Sequence, residues 1–199
     1  MIEIRNLSDV HIPDIVALHV THLPGSFHGK PGGELLKLYY KTLVVSEGGC
    51  GFVAVLDGCV VGYVCGVWAQ EVVKRGLVRR FWGSLLFWGG LMLVYDPKLG
   101  VDLIKRLFTK KTQSSLSEPG YELRPIVVSP LVRGKGVADG LVNALIADAR
   151  SRKVDAIHLF TEESNLTARR FYKKQKFIET HVFRVGEVKY HRFEMRIAE

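Results

Sequence analysis

The sequence predicts an α/β fold, a central sheet flanked by helices, on three observations. Asp57-Gly58 joins two apolar runs, Phe52 to Leu56 and Val60 to Trp68, and this dipeptide favours the tight turn that matches strand twist. From Leu123 onward, strand-like runs alternate with runs whose apolar residues recur every three or four positions. Between the two halves lie about fifty residues, Ala69 to Gly120, with a basic-flanked apolar centre that reads as a helical insertion. A chain of 199 residues with 47% hydrophobic content is ample for one core and short for two. One domain over 1–199 is therefore expected, carrying its insertion at about 69–120.

The elements follow in order. Ile2 to Arg5 alternates as a short strand, and Ser8 or Asp9 then caps a helix that tolerates Pro13 in its first turns, where a missing N–H costs little. Ile12, Ile15, Val16 and His19 make its inward face. His22 to Lys30 is rich in Pro and Gly and reads as a loop. A second helix, roughly Glu34 to Val45, repeats Leu35, Leu38, Tyr39 and Thr42 at three and four, and Gly48 to Gly51 ends it. The hairpin comes next, then the insertion, then the strand Leu123 to Val128. Val137 to Arg150 puts Ala138, Leu141, Val142, Leu145, Ile146 and Ala149 on one helix face. Ala156 to Thr161 is a strand, Asn165 opens another helix, and Ile178 to Val185 and Val188 to Ile197 close as a hairpin around Gly186.

The centre of the insertion, Phe81 to Tyr95, is apolar on every side, preceded by Lys74, Arg75, Arg79 and Arg80 and followed by Asp96-Pro97-Lys98. About fifteen residues fall short of the roughly 20 that cross a bilayer as a helix, and Gly83, Gly89 and Gly90 weaken the segment further. It reads as a helix that roofs a substrate site or packs in a homodimer, or as a membrane-surface helix with snorkelling basic flanks. Val101 to Lys111 reads as an ordinary amphipathic helix, and Thr112 to Gly120 as the polar return.

The most informative stretch is Ile126 to Ala138, IVVSPLVRGKGVA, in which an apolar strand breaks at Ser129-Pro130 into a basic, glycine-punctuated loop that opens a helix. Glycines free the main chain so that successive N–H groups can point at phosphate oxygens, and the helix N-terminus adds partial positive charge. The loop is not G-x-x-x-x-G-K-[ST], since no Ser or Thr follows Lys135, nor G-x-G-x-x-G, since Asp139 stands three after Gly136. What remains is [RQ]-x-x-G-x-[GA], filled by Arg133, Gly136 and Ala138.

About thirty residues on, Asn165-Leu166-Thr167-Ala168-Arg169-Arg170-Phe171-Tyr172-Lys173-Lys174-Gln175-Lys176-Phe177 fits N-x-x-A-x-x-F-Y-x-x-x-G-F except at its glycine, which here is Lys176. Taken together, the two motifs resemble those of the GNAT superfamily of acyl-coenzyme A dependent N-acyltransferases. The departure at Lys176 predicts a helix C-terminus built differently from the family's. The resemblance implies a mixed, mostly antiparallel central sheet flanked by helices, with the helical insertion between the third and fourth strands. It also implies acetyl-CoA, or another acyl-CoA, as cosubstrate. Ile126, Val127 and Val128 would pair their main chain with the pantetheine arm, and Arg133, Gly134, Lys135, Gly136, Val137 and Ala138 would take the pyrophosphate. An N–H of Val127 or Val128 would stabilise the oxyanion. Asn165 would cap its helix and touch the pantetheine arm.

By the same resemblance Tyr172 is the general acid that protonates the departing thiolate, a task that suits a phenol with a reference pKa near 10; the plain alternative is a core aromatic with a satisfied hydroxyl. An amine acceptor must lose a proton before attack, and Glu122 is the first choice for that base; the alternative is a solvated strand-end glutamate paired with Arg124. Glu71, His28 and Glu162 are lesser candidates, each readable as a surface or capping residue.

No His or Cys spacing matches a metal site, and no G-x-S-x-G marks a serine nucleophile. Cys50, Cys59 and Cys65 match no zinc or redox pattern, and the start MIEIRNLSDV lacks the layout of a secretion signal, so a reducing cytoplasm is expected. The formal charge of +8 fits nucleic acid, an anionic membrane face or a polyphosphate cofactor with an acidic partner, and does not choose among them. Its cations are not interleaved with aromatics as a nucleic-acid surface requires, and no nucleic-acid partner is expected. The reading is an N-acetyltransferase acting on a primary amine of a small molecule. The aromatic and basic segments around the cleft hint at an acidic or lipid-like group on that acceptor, for instance a nucleotide-linked amino sugar. A non-catalytic acyl-CoA sensor and a peripheral membrane module are the alternatives.

Overall fold

A computed structural model of the chain describes residues 2–23, 29–98, 101 and 120–197. The second predicted insertion helix after Val101, its polar return up to Gly120 and His28 fall outside the described residues.

Among the described residues seven strands form one sheet. They are β1 (Ile2–Asn6), β2 (Gly49–Leu56), β3 (Cys59–Val67), β4 (Tyr121–Val128), β5 (Ala156–Glu162), β6 (Ile178–Val185) and β7 (Val188–Arg196). Their order is β1-β2-β3-β4-β5-β7-β6, antiparallel throughout except where β4 runs parallel to β5. The mixed, mostly antiparallel sheet is thus as predicted. Helices α1 (Ile12–His22), α2 (Gly29–Val45), α3 (Gln70–Tyr95), α4 (Val137–Ser151) and α5 (Leu166–Lys174) flank it, with α3 between the third and fourth strands.

The two faces of the sheet bury separate cores. Ile12, Ile15, Val16, Leu36, Tyr40 and Leu43 of α1 and α2 pack on Val53, Tyr63, Cys65 and Val127. On the other face Val137, Leu141, Val142, Leu145 and Ala149 of α4, joined by Tyr172 of α5, pack on Ala54, Val64, Leu123, Ile157 and Phe193. The inward faces of α1 and α4 are those that the three-four periodicity marks. The β2–β3 turn follows its chemistry as well, with Asp57 at φ 51° and Gly58 at φ 82°, the pair of left-handed residues that a tight hairpin needs.

Boundaries shift where local signals are weak. Helix α2 begins at Gly29 rather than Glu34, despite three glycines in its first turns, and Gly49 opens β2 instead of merely ending the helix. Strand β4 takes in Tyr121 and Glu122, because Tyr121 stacks on Trp68 and its hydroxyl donates to Asp148 at 2.7 Å. Asp148 also accepts from Arg152 at 2.7 Å, which ties the C-terminal turn of α4 to the start of β4. Gly66 makes room for that packing, since a Cβ there would meet the Tyr121 hydroxyl at 2.5 Å.

The apolar stretch Phe81 to Tyr95 belongs to a longer helix than its own length suggests. Helix α3 runs 26 residues from Gln70 and breaks its regular dihedrals at Phe81, with φ −128° and ψ 23°. The first half packs on α2, where a Cβ on Gly76 would touch Thr42 at 3.3 Å.

Candidate active site

The site begins with an irregularity in β4. Glu122 and Arg124 face α1 and α2, and simple alternation would put Ile126 with them. The pairing with β3 instead jumps from Cys65↔Arg124 to Val64↔Ile126, leaving Pro125 without a partner. Proline has no N–H to give the ladder, so a bulge is the place a sheet interior accepts it. The extra residue resets the alternation: Val127 joins the α1 and α2 core, while Ile126 and Val128 pack on the α4 side.

Beside the bulge the sheet opens. β4 pairs with β5 only at Tyr121↔Ile157 and Glu122↔His158. Beyond that point Leu159 to Glu162 pair with β7, and Ile126 to Val128 pair with β3. The two parallel strands therefore diverge, and among the described residues one edge of β4 is left without a strand. Ser129 donates its N–H to Val61 of β3 at 2.8 Å. Main-chain direction alternates along a strand, so Val127 shares that edge while Ile126 and Val128 turn their amides into the opening. Of the two amides named for the oxyanion, Val128 is the one that faces the gap.

At the far end of β4, Ser129 caps a short 3-10 turn, Pro130–Val132, with its hydroxyl accepting from Leu131. Gly134 and Gly136 follow at φ 77° and 75°. A Cβ at either would meet nothing, so the backbone conformation rather than crowding demands glycine. Gly136 caps α4 without any side chain to occupy the helix end. The N–H groups of Val137, Ala138 and Asp139 lack intrahelical partners by the geometry of a first turn. Arg133 and Lys135 stand exposed beside them. An anionic diphosphate fits such a cradle, and an extended amide-bearing arm fits the open edge of β4.

Glu122 lies where β4 and β5 part. It is 4% exposed, and both carboxylate oxygens are engaged: Oε1 with Arg124 Nε at 2.6 Å and Oε2 with Gln70 Nε2 at 2.6 Å. The pairing with Arg124 is thus present, but the pair is buried rather than solvated on the glutamate side. Burial pushes the carboxyl above its ordinary value, while Arg124 and Gln70 pull it back. Arg124 also hydrogen-bonds the Tyr39 hydroxyl of α2. Gln70 and Tyr39 were not legible as site residues: Tyr39 reads as part of an apolar helix face, and Gln70 meets Glu122 only through the fold.

Tyr172 lies on the inward face of α5 among Phe171, Phe177 and Phe193, at ring distances of 5.5, 5.8 and 6.1 Å. Burial pushes its phenol well above the ordinary value. Among the described residues its hydroxyl has no hydrogen-bond partner. Asn165 caps α5, its side chain accepting from Ala168 N–H at 3.1 Å. The helix ends in the turn its motif usually makes with glycine: Lys176 adopts φ 65°, donates to Lys173 O, and Phe177 donates to Tyr172 O. The expected difference in turn geometry is absent, and a lysine carries the left-handed residue. Glu71 and Glu162 are both exposed, Glu162 near Tyr190 and Ser164, in line with their surface readings. No cluster of three metal-ligating side chains occurs among the described residues.

A model of the acetyltransferase (GNAT) family matches residues 15–177. No curated protein matches the chain in sequence. Among solved structures, the ribosomal-protein-S18-alanine N-acetyltransferase from Escherichia coli is similar at 15% identity and TM-score 0.60, over 100% of this chain and 96% of that one. An N-acetyltransferase from Staphylococcus aureus Mu50 gives 14% identity and TM-score 0.63, over 100% of this chain and 99% of the other. Arabidopsis thaliana NAA60, in complex with acetyl-CoA, gives 15% identity and TM-score 0.62, over 99% of each chain. At such identities the likeness is one of fold.

Proposed function

The chain belongs to the GNAT acetyltransferase family, and from that premise we propose that it is an N-acetyltransferase carrying an acetyl group from acetyl-CoA to a primary amine of a small molecule by direct attack. The observation that carries the reading is the opening between β4 and β5, with an unpaired strand edge leading to a glycine loop and a helix N-terminus.

In this reading Ile126 and Val128 offer main-chain groups to the pantetheine arm, and Arg133 to Ala138 hold the diphosphate. The bound thioester supplies an activated acetyl carbon. In the same reading Val128 N–H bonds the carbonyl oxygen as negative charge develops there, which favours the transition state over the ground state. Glu122 takes the proton that the ammonium form of the acceptor must lose. Burial raises its affinity for that proton, and Arg124 and Gln70 keep the carboxylate oriented. Tyr172, kept protonated by its surroundings, donates to the leaving sulfur. Asn165 fixes the start of the helix that carries Tyr172. Free Cys50, Cys59 and Cys65 suit a cytoplasmic setting.

The decisive experiment offers acetyl-CoA together with a panel of primary amines and follows free thiol. Thiol release that needs both the chain and an amine supports the reading. Saturable acetyl-CoA binding without release across the panel turns it toward a sensor.

A further inference from the structure

We propose that the outer half of α3, Phe81 to Tyr95, seats the protein on the surface of an anionic lipid bilayer. After the break at Phe81 the helix turns Gly89 and Met92 inward. Trp82, Leu86, Phe87, Val94 and Tyr95 point outward, each 63% exposed or more. At about 100° per residue Trp82, Leu86, Gly90 and Val94 form one row, and Phe87 and Leu91 widen it to roughly half the circumference. No charged residue occurs from Phe81 to Tyr95. A water-facing helix side normally carries charge, and here it is apolar.

Charge decides among the occupants such a face could take. Lys74, Arg75, Arg79 and Arg80 occupy the turns just before the break, and no acid lies between Glu71 and Asp96. Arg75, Arg79 and Arg80 are exposed. A second copy of this helix would bring the same cations and no acid to meet them. A bilayer rich in anionic headgroups supplies both partners at once, hydrocarbon for the aromatics and phosphate for the arginines.

The helix lies on the bilayer rather than through it. By length and composition the whole of α3 is able to cross a membrane, with 6% of its most apolar stretch buried. Its first half, however, is packed on α2 through Val73 and Gly76. The remaining fifteen residues reach about 22 Å, short of the ~30 Å hydrocarbon core.

The test is flotation of the full chain with phosphatidylcholine vesicles, with and without about one third phosphatidylglycerol, at about 0.05 M and about 0.5 M salt. Expected are binding to the anionic vesicles, loss of most of it at high salt, and at least a tenfold fall for Trp82→Ser/Leu86→Ser/Phe87→Ser. Arg79→Gln/Arg80→Gln, which keeps the apolar face, should lose the preference for anionic lipid. Circular dichroism and the thermal midpoint check that both variants fold, which the exposure of these side chains favours. Three results overturn the proposal: no binding to anionic vesicles, a concentration-dependent dimer abolished by the triple substitution in a chain that ignores vesicles, or protein from cell membranes that resists alkaline washing and leaves only with detergent.

Discussion

The main-chain N–H of Phe177 donates to the carbonyl of Tyr172 at 3.0 Å, closing a turn around Lys176, whose φ is 65°. With Lys176 N–H donating to Lys173 O at 3.0 Å, this is the paired arrangement that ends many helices on a left-handed residue. The turn fixes the last carbonyls of α5 and brings Phe177 under the Tyr172 ring at 5.8 Å.

A β-carbon in that conformation is strained, and glycine is not. Lys176→Gly is expected to stabilise the fold by about 0.5–1 kcal/mol, after part of the gain is lost to the freer unfolded chain. For a domain of this size that is a rise of roughly 1–4 °C in Tm. Lys176→Val, β-branched and worse suited to positive φ, should move Tm the other way. A calorimetric comparison of the three proteins decides it.

That turn also marks how far the sequence is legible. Helix faces, the Asp57-Gly58 hairpin and the glycine loop follow from spacing, because period and turn chemistry are local. The lysine at the turn defeats the local rule, since tertiary packing of Tyr172 and Phe177 holds the geometry without glycine. Pro125 inside a strand-like run signals an edge or a bulge without choosing between them, and the bulge is what sends Arg124 and Ile126 to opposite faces. The clasp on Glu122 joins residues 52 positions apart, from the start of α3 to the start of β4. A contact of that kind has no signature along the chain. The long reach of α3 is likewise hidden, since its first half shows in sequence only as the basic flank of the apolar segment and packing on α2 makes the two continuous.

Tyr172→Phe separates the acid from the aromatic it is built on. The ring contacts with Phe171, Phe177 and Phe193 survive the change, and the hydroxyl has no partner among the described residues to lose. Stability and acetyl-CoA affinity should hold, while turnover falls by about 10²–10⁴. Turnover at the wild-type level would remove Tyr172 from the proton path.

His19 supplies a stability effect with a definite sign. Its Nδ1 lies 2.7 Å from the Tyr40 hydroxyl and 2.8 Å from that of Tyr63, a buried arrangement that a neutral imidazole satisfies. Burial lowers its pKa from 6.5 to about 4. Between those values the unfolded chain binds a proton that the folded chain does not, so stability falls as pH drops from about 6.5 and levels off below about 4. The largest loss from this group is about 3 kcal/mol. Urea midpoints across that range should decline, and ring NMR shifts should show His19 neutral at pH 5.5; an imidazolium there would contradict the burial argument.

Gln70 is the handle on whether Glu122 moves protons. Its side chain donates to Glu122 Oε2 at 2.6 Å and so favours the charged carboxylate, against the burial that raises the pKa. In Gln70→Leu that donor is gone and the carboxyl holds its proton to higher pH. A base must be unprotonated to act, so the acidic limb of kcat/KM should shift upward in pH while the plateau stays within about threefold. Glu122→Gln should instead lower the plateau by about 10²–10³ and abolish the limb. If Glu122 merely braces Arg124, the Gln70→Leu profile keeps its limb in place and the change appears in Tm alone. The two variants together tell a proton acceptor from a strut, because only a titrating group converts a lost hydrogen bond into a displaced pH profile.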